Sequence, residues 1–314
     1  MTHGCVCILR RKHCTTFMEE CMYINHNQMA TNVANALTGH YGNLQTSTQR
    51  LSSGLRVNSA ADDAAGLAIR ELMRADIAAL NQGVRNANDA ISLIQTADGA
   101  LGVIDEKLIR MKELAEQAAT GTYDSTQRLM IESEYQQMAS EITRIANATD
   151  FNGIKLLNGS LDGDHDGSEL EAVGALKVHF GTANNAAEDY YYINIGEVTA
   201  SALGVGNQAD PDKAAYTIST QAAAQSALEG INAAIISKDK IRAHLGALQN
   251  RLENTITNLT TQSENLQAAE SRISDVDVAT EMTNFVRNQI LTQSAVAMLS
   301  QANNMPSLAM QLIK

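Results

Sequence analysis

The 314-residue chain has no tryptophan, two prolines, four phenylalanines and 4% aromatic residues in all. A compact catalytic core usually draws on more aromatic surface than this. Cysteine is confined to Cys5, Cys7, Cys14 and Cys21, with none from Met22 onward. A disulfide framework would spread its cysteines through the fold, so the body of the chain is held by neither disulfides nor cysteine-bound metal. No basic block is present and the net charge is −12, which argues against nucleic acid or an anionic membrane as partner. No apolar run approaches the roughly 18 residues of a membrane span. The short apolar run from Cys5 to Leu9 is not followed by a small-residue cleavage site, so no signal peptide is expected. No nucleophile–base pair or phosphate loop stands out, and Gly204-Val-Gly206 alone is too short to read as one.

What is abundant is helical periodicity. From Ser59 to about Ala119 there is no proline. Ile77, Leu80, Val84, Ala87, Ile91, Ile94, Leu101, Ile104, Leu108, Met111, Ala115 and Ala118 recur in steps of three and four, broken only where Asp98 takes a seam position. Ser59-Ala-Ala-Asp62 reads as the capping box of this helix. At about 1.5 Å per residue the helix runs roughly 80 Å, too long for a globular core, so it needs an equally long partner. That partner lies near the other end: Leu228, Ile231 and Ile235, then Ile241, Leu245, Leu248, Leu252, Thr255, Leu259, Gln262, Leu266, Ala269, Ile273 and Val276. Between the two, a helix over about Ser125–Ala148 should fold back on the first after the break at Gly121. Asp150-Phe-Asn-Gly153 and Asn158-Gly159 are turn signals. Leu176, Val178 and Phe180, then Tyr191, Ile193 and Ile195, alternate as two strands of a hairpin, with Tyr216 and Ile218 as a candidate third strand.

Two stretches carry metal-ligand residue types. The front cysteines with His3 and His13 match no zinc spacing. Asp162, Asp164 and Asp166, followed by Gly167, fit the first half of a calcium loop, but its closing position holds Val173 rather than Glu. Neither implies a cofactor, and an acidic solvated loop is the simpler reading of the second.

The extreme ends share a device. Met29, Val33, Leu37, Leu44 and Leu51 form one stripe before the break at Ser52-Ser-Gly54, and Leu291, Met298, Met305 and Leu312 are spaced by seven. A two-helix coil with one thin stripe per helix is marginal alone. Apolar surface that cannot be buried internally marks an assembly face, and a face repeated on every copy builds a helical filament unless it closes into a ring.

The residues that carry this pattern also resemble a known family. Met22-Tyr-Ile-Asn-His-Asn, Leu51 to Ile69 (LSSGLRVNSAADDAAGLAI), Ile91 to Leu101 (ISLIQTADGAL), Phe151-Asn-Gly153, Ser271 to Asp277 (SRISDVD) and Ala302 to Pro306 (ANNMP) resemble bacterial flagellin over nearly everything from Met22 onward. Flagellins begin near such a Met-x-Ile-Asn, and the purine-rich codons required by Met18-Glu-Glu20 would serve as a ribosome site. Residues 1–21 are therefore expected to be a non-native extension. The resemblance implies a mainly α fold: a long antiparallel coiled-coil bundle closed by the N- and C-terminal segments, with a small β-hairpin region in the middle. Residues 22–58 plus 277–314 would form the terminal coil of the filament core. Residues 59–276 would form a helical rod with its hairpin at about 175–196, without a large outer domain. The implied function is a non-enzymatic subunit of the flagellar filament for motility, with the hook–filament junction protein as the alternative. Implied partners are further copies of itself, an export chaperone, the filament cap and hook-junction proteins. Export would occur without a cleaved signal, to the extracellular flagellum, and neither nucleic acid nor membrane insertion is implied. A host Toll-like receptor would read Arg110, Leu114 and Glu134, with Ile109 departing from the Gln common there.

Overall fold

The computed structural model describes residues 27–166, 174–185, 188–206 and 217–312. The front Cys/His cluster, Gly167, Val173 and Tyr216 lie outside these residues. Helices dominate: α1 (Gln28–Ser53), α2 (Ala64–Ala119), α3 (Ser125–Ala148), the short α4 (Ala200–Leu203), α5 (Gln221–Ser274) and α6 (Val278–Leu312). Two antiparallel two-stranded sheets accompany them, β1 (Asp150–Phe151) with β2 (Ile154–Lys155) and β3 (Leu176–His179) with β4 (Tyr190–Ile193). The first turns at Asn152-Gly153, both at positive φ. Ile218 is buried but belongs to no strand; its amide is held by the Glu132 carboxylate of α3.

The chain forms two compact units, one of the described residues up to Leu67 with those from Ser274 onward, the other from Ala68 to Ile273. In the second unit, the rod, α2 and α5 run antiparallel. Asp98 meets Arg242, Asp105 meets Lys238 and Asn81 meets Ser263 across the seam. Helix α3 returns along α2, with Arg110 bonded to Glu134 and the Arg128 guanidinium donating to the Ala118 carbonyl. The core between them is continuous: Ile94, Leu101, Ile104, Leu108, Met111, Tyr135, Ile142, Ile231, Leu245 and Leu252 are all at most 1% exposed. Beyond Leu259 the α5 seam steps to the buried Ser263, and Gln262 faces outward. The expected step of three is there a step of four.

The β3–β4 hairpin is laid on α2 by two contacts. Asn86 donates its side-chain N–H to the His179 carbonyl at 2.8 Å. A Cβ on Gly83 would come 2.1 Å from the Phe180 carbonyl oxygen, so only glycine allows this approach. Phe180 then fills a second small core with Leu80 and Leu259.

The start of α2 departs from the expected capping box. Asp62 accepts from the amides of Asn58 and Ser59 and from the Ser59 hydroxyl, closing a separate turn. The helix itself is capped four residues after Ser59, by Asp63 accepting from the Gly66 amide. Two adjacent carboxylates, Asp62 and Asp63, divide the work that Ser59 and Asp62 were expected to share.

Candidate assembly and recognition surfaces

The terminal unit is an antiparallel pair of α1 and α6. Asn27 caps α1 and donates to the Ala302 carbonyl at 2.7 Å. Gly54 ends α1 in the left-handed region at φ 73°. Leu55 then bridges to Asp275, and the Val276 amide donates to the Gly54 carbonyl. Asp277 starts α6 by accepting from the amides of Ala279 and Thr280 and from the Thr280 hydroxyl. These bonds hold its carboxyl below the usual carboxylate range.

Along α1, the stripe residues Val33, Leu37, Leu44 and Leu51 are half-buried, while Met29 is 62% exposed. On α6 the arrangement is reversed. Its buried residues are Glu281, Thr292 and Ala302, with Asn284, Phe285, Asn288, Ala295 and Leu299 half-buried. The stripe residues Leu291, Met298 and Met305 face outward, 39–57% exposed, with Met282, Val286, Ile290, Val296 and Leu308 also exposed. Leu312 is the last residue of the helix. The spacing by seven therefore marks the outer face of α6 and not the face that pairs with α1.

In the rod, the three residues singled out for recognition separate into two kinds. Arg110 and Glu134 meet at 2.8 Å on the surface, with Glu113 as a second partner at 2.9 Å. These carboxylates raise the Arg110 guanidinium above its ordinary value, hydrogen bonding to Glu134 being the largest cause. Leu114 is 1% exposed and belongs to the core, beneath the helix face that carries Arg110. Its position follows from the seam, in which Met111, Leu114, Ala115 and Ala118 all turn inward. Ile109 is 49% exposed.

Asp162, Asp164 and Asp166 are all exposed. Among the described residues no group of three His, Cys, Asp or Glu is close enough to hold a metal ion. The loop is instead organised by its backbone: the Ala175 amide donates to the Gly163 carbonyl, and His165 Nδ1 lies 2.8 Å from the Ala175 carbonyl.

One residue that sequence reasoning passed over is Lys238. It is 1% exposed, ion-paired with Asp105 across the seam and with Asp239 at 2.8 Å. One turn away, Arg242 binds Asp98 at 2.7 Å, and that bond raises the guanidinium. The break at Asp98 is thus one end of a charged layer in an apolar seam. The signal was present: the α5 seam skips from Ile235 to Ile241, and Lys238 sits in the gap.

These features are those of a helical subunit with a long packed rod and a terminal coil that exposes apolar side chains. Residues 24–162 match the bacterial flagellin N-terminal helical region and residues 228–313 its C-terminal helical region. The chain is 42% identical to a flagellin of Halalkalibacterium halodurans over 293 residues, covering 93% of this chain and all of that protein. It is 40% identical to the flagellar filament 33 kDa core protein of Treponema phagedenis, again over 93% of this chain and all of that one. A flagellar hook-associated protein of Vibrio parahaemolyticus is similar in structure, with a TM-score of 0.52, covering 68% of this chain and all of that one. At 16% identity this last likeness speaks of the fold alone. The chain belongs to the bacterial flagellin family, and it is a structural subunit of the flagellar filament. Among the described residues no helix is long and apolar enough to cross a membrane.

Proposed function

We propose that the terminal coil is the filament core and that the outer face of α6, with Met29 of α1, is the assembly device. The observation that carries this reading is the reversal of α6, which turns Met282, Ile290, Val296, Met298 and Met305 to solvent while Glu281 and Thr292 face α1. Such a face is stable only when covered, and another copy of the same chain supplies both the cover and the repeat. Packing is then the whole mechanism, and no catalysis is involved. The same surface needs a dedicated export chaperone before assembly, and filament cap and hook-junction proteins where the polymer ends. Export without a cleaved signal fits a chain that folds only at its destination. Electron microscopy of the full chain, seeded with filament fragments, beside a chain ending after Val276 tests the reading. Long filaments from the full chain alone are expected. Equal polymerisation of the shortened chain would overturn it.

Recognition by a host Toll-like receptor is proposed to use Arg110 and Glu134 on the rod surface. Leu114 acts there from below, by fixing the helix face that presents Arg110. Arg110→Ala should abolish receptor signalling in a reporter cell while the purified chain melts unchanged, because an exposed ion pair contributes little to stability. Unchanged signalling would refute the assignment.

A further inference from the structure

Within the terminal coil, α1 and α6 leave a recess of about 180 Å³ whose lining includes Asn43, Thr46, Arg50, Glu281, Asn284 and Asn288, and every lining side chain is polar. Arg50 Nε is buried there without a hydrogen-bond partner among the described residues. Arg50 Nη1 and Glu281 Oε2 stand 3.9 Å apart, too far for a hydrogen bond. The Glu281 side chain is only 9% exposed. Buried donors in folded proteins are almost always paired, so the unpartnered Arg50 Nε–H, on a side chain 31% exposed and lining the same recess as Glu281, leaves a place for a bridging group.

The chemistry of that group is narrow. It must accept from the Arg50 Nε–H and donate toward Glu281. It must also be neutral, since a further charge would be desolvated without compensation. A primary carboxamide does both. The same two helices expose carboxamides on every copy, among them Gln45, Gln49, Gln289, Gln293 and Gln301. Gln289 and Gln293 flank the exposed Ile290 and Leu291 of α6 in sequence. We infer that the recess is a socket for an Asn or Gln side chain of a second copy, which sets the register of one terminal coil on the next. This rests on the filament reading above: the apolar face supplies the attraction and the socket supplies the position.

The test uses the full chain in seeded elongation, with Arg50→Lys and Glu281→Gln beside the parent. Arg50→Lys keeps the charge and removes the Nε–H. Each variant should raise the critical concentration about tenfold, the loss of one hydrogen bond to a charged group, with the monomer melting as the parent does. An unchanged critical concentration would mean that the recess holds only water, and would overturn the inference. A parallel fall in melting temperature would assign Arg50 and Glu281 to the fold of the single chain, and would overturn it equally. A photo-crosslinking residue at Asn43 gives the direct readout. In filaments it should capture a Gln-bearing α1 or α6 peptide of another copy, and purely intrachain products would contradict the inference. Failure of the parent itself to elongate would refute the filament reading and the socket with it. A defect confined to the variants bears on the socket alone.

Discussion

The rod and the terminal coil are built from the same element, a long antiparallel helix pair, yet they distribute polarity in opposite ways. In the rod, Leu101, Ile104 and Leu108 share one buried core with Ile231, Ala234 and Leu245. The charges of Arg110, Glu134 and Arg144 stand outside. In the terminal coil, Glu281 and Thr292 of α6 face inward, and its large apolar side chains face out. The rod buries its seam within a single chain, although Leu72, Leu129, Met130 and Ile236 stand exposed on its surface. The coil reads as half of an interface. Burial in one chain stabilises the rod, whereas the same residue types on α6 gain only when a second surface covers them.

The comparison breaks most sharply on substitution in each region. Ile104→Ala in the rod should cost about 3 kcal/mol through lost burial and the cavity left behind, whereas Met298→Ser on α6 should change monomer stability by no more than about 0.5 kcal/mol. Urea unfolding of the two variants measures both. The charged layer gives the next largest effect. Lys238→Ala should cost about 2 kcal/mol by leaving Asp105 beside an apolar gap, a loss moderated because Asp105 is 29% exposed. Lys238→Met with Asp105→Leu should recover most of it, which a double-mutant cycle reads as coupling. Gly83→Ala should lift the hairpin from α2 at about 1–2 kcal/mol. Faster amide exchange at Phe180 than in the parent is its signature, and an unaltered exchange pattern would show that the close approach is relaxed at no cost.

The smallest effect is in pH, and it belongs to the coil. Asp277 has its folded value lowered by the Thr280 hydroxyl and by the amides of Thr280 and Ala279. A lowered carboxyl contributes stability that is complete above its ordinary value of 3.8 and lost as the pH falls through the folded value. Helix content of Asp277→Asn should therefore fall less than that of the parent between about pH 5 and about pH 2. Identical acid profiles would remove the cap from the account.

The rod was the legible region. Its seams announce themselves because apolar burial follows the helical period, so Ile94 to Ala118 and Leu245 to Leu259 could be marked as facing cores without a structure. The hairpin was legible for the same reason at period two, in Val178 and Ile193. Where a seam position holds a charge, periodicity reads only an interruption, so the gap at Lys238 was readable but its pairing with Asp105 was not until the two helices were set side by side. The cap of α2 was placed at Ser59, four residues ahead of Asp63, because Ser59-Ala-Ala-Asp62 has the spacing of a capping box and here closes a separate turn. The pairing face of the coil was not legible: α6 is apolar around much of its circumference, and a spacing by seven cannot say whether the marked face meets α1 or solvent. Phe285 and Leu299, mixed with Asn284, Asn288 and Thr292, gave the pairing face no contrast. A surface that is completed by another copy leaves no periodic record of which side its own chain uses.

The central claim, that the outward apolar face of α6 is the assembly device, is tested most directly by the triple variant Leu291→Ser, Met298→Ser, Met305→Ser. Monomer helix content and melting would be compared with the parent, and seeded elongation followed by electron microscopy. The account predicts a monomer that melts as the parent does and forms no filaments. Filaments of parental length at the parental critical concentration would contradict it.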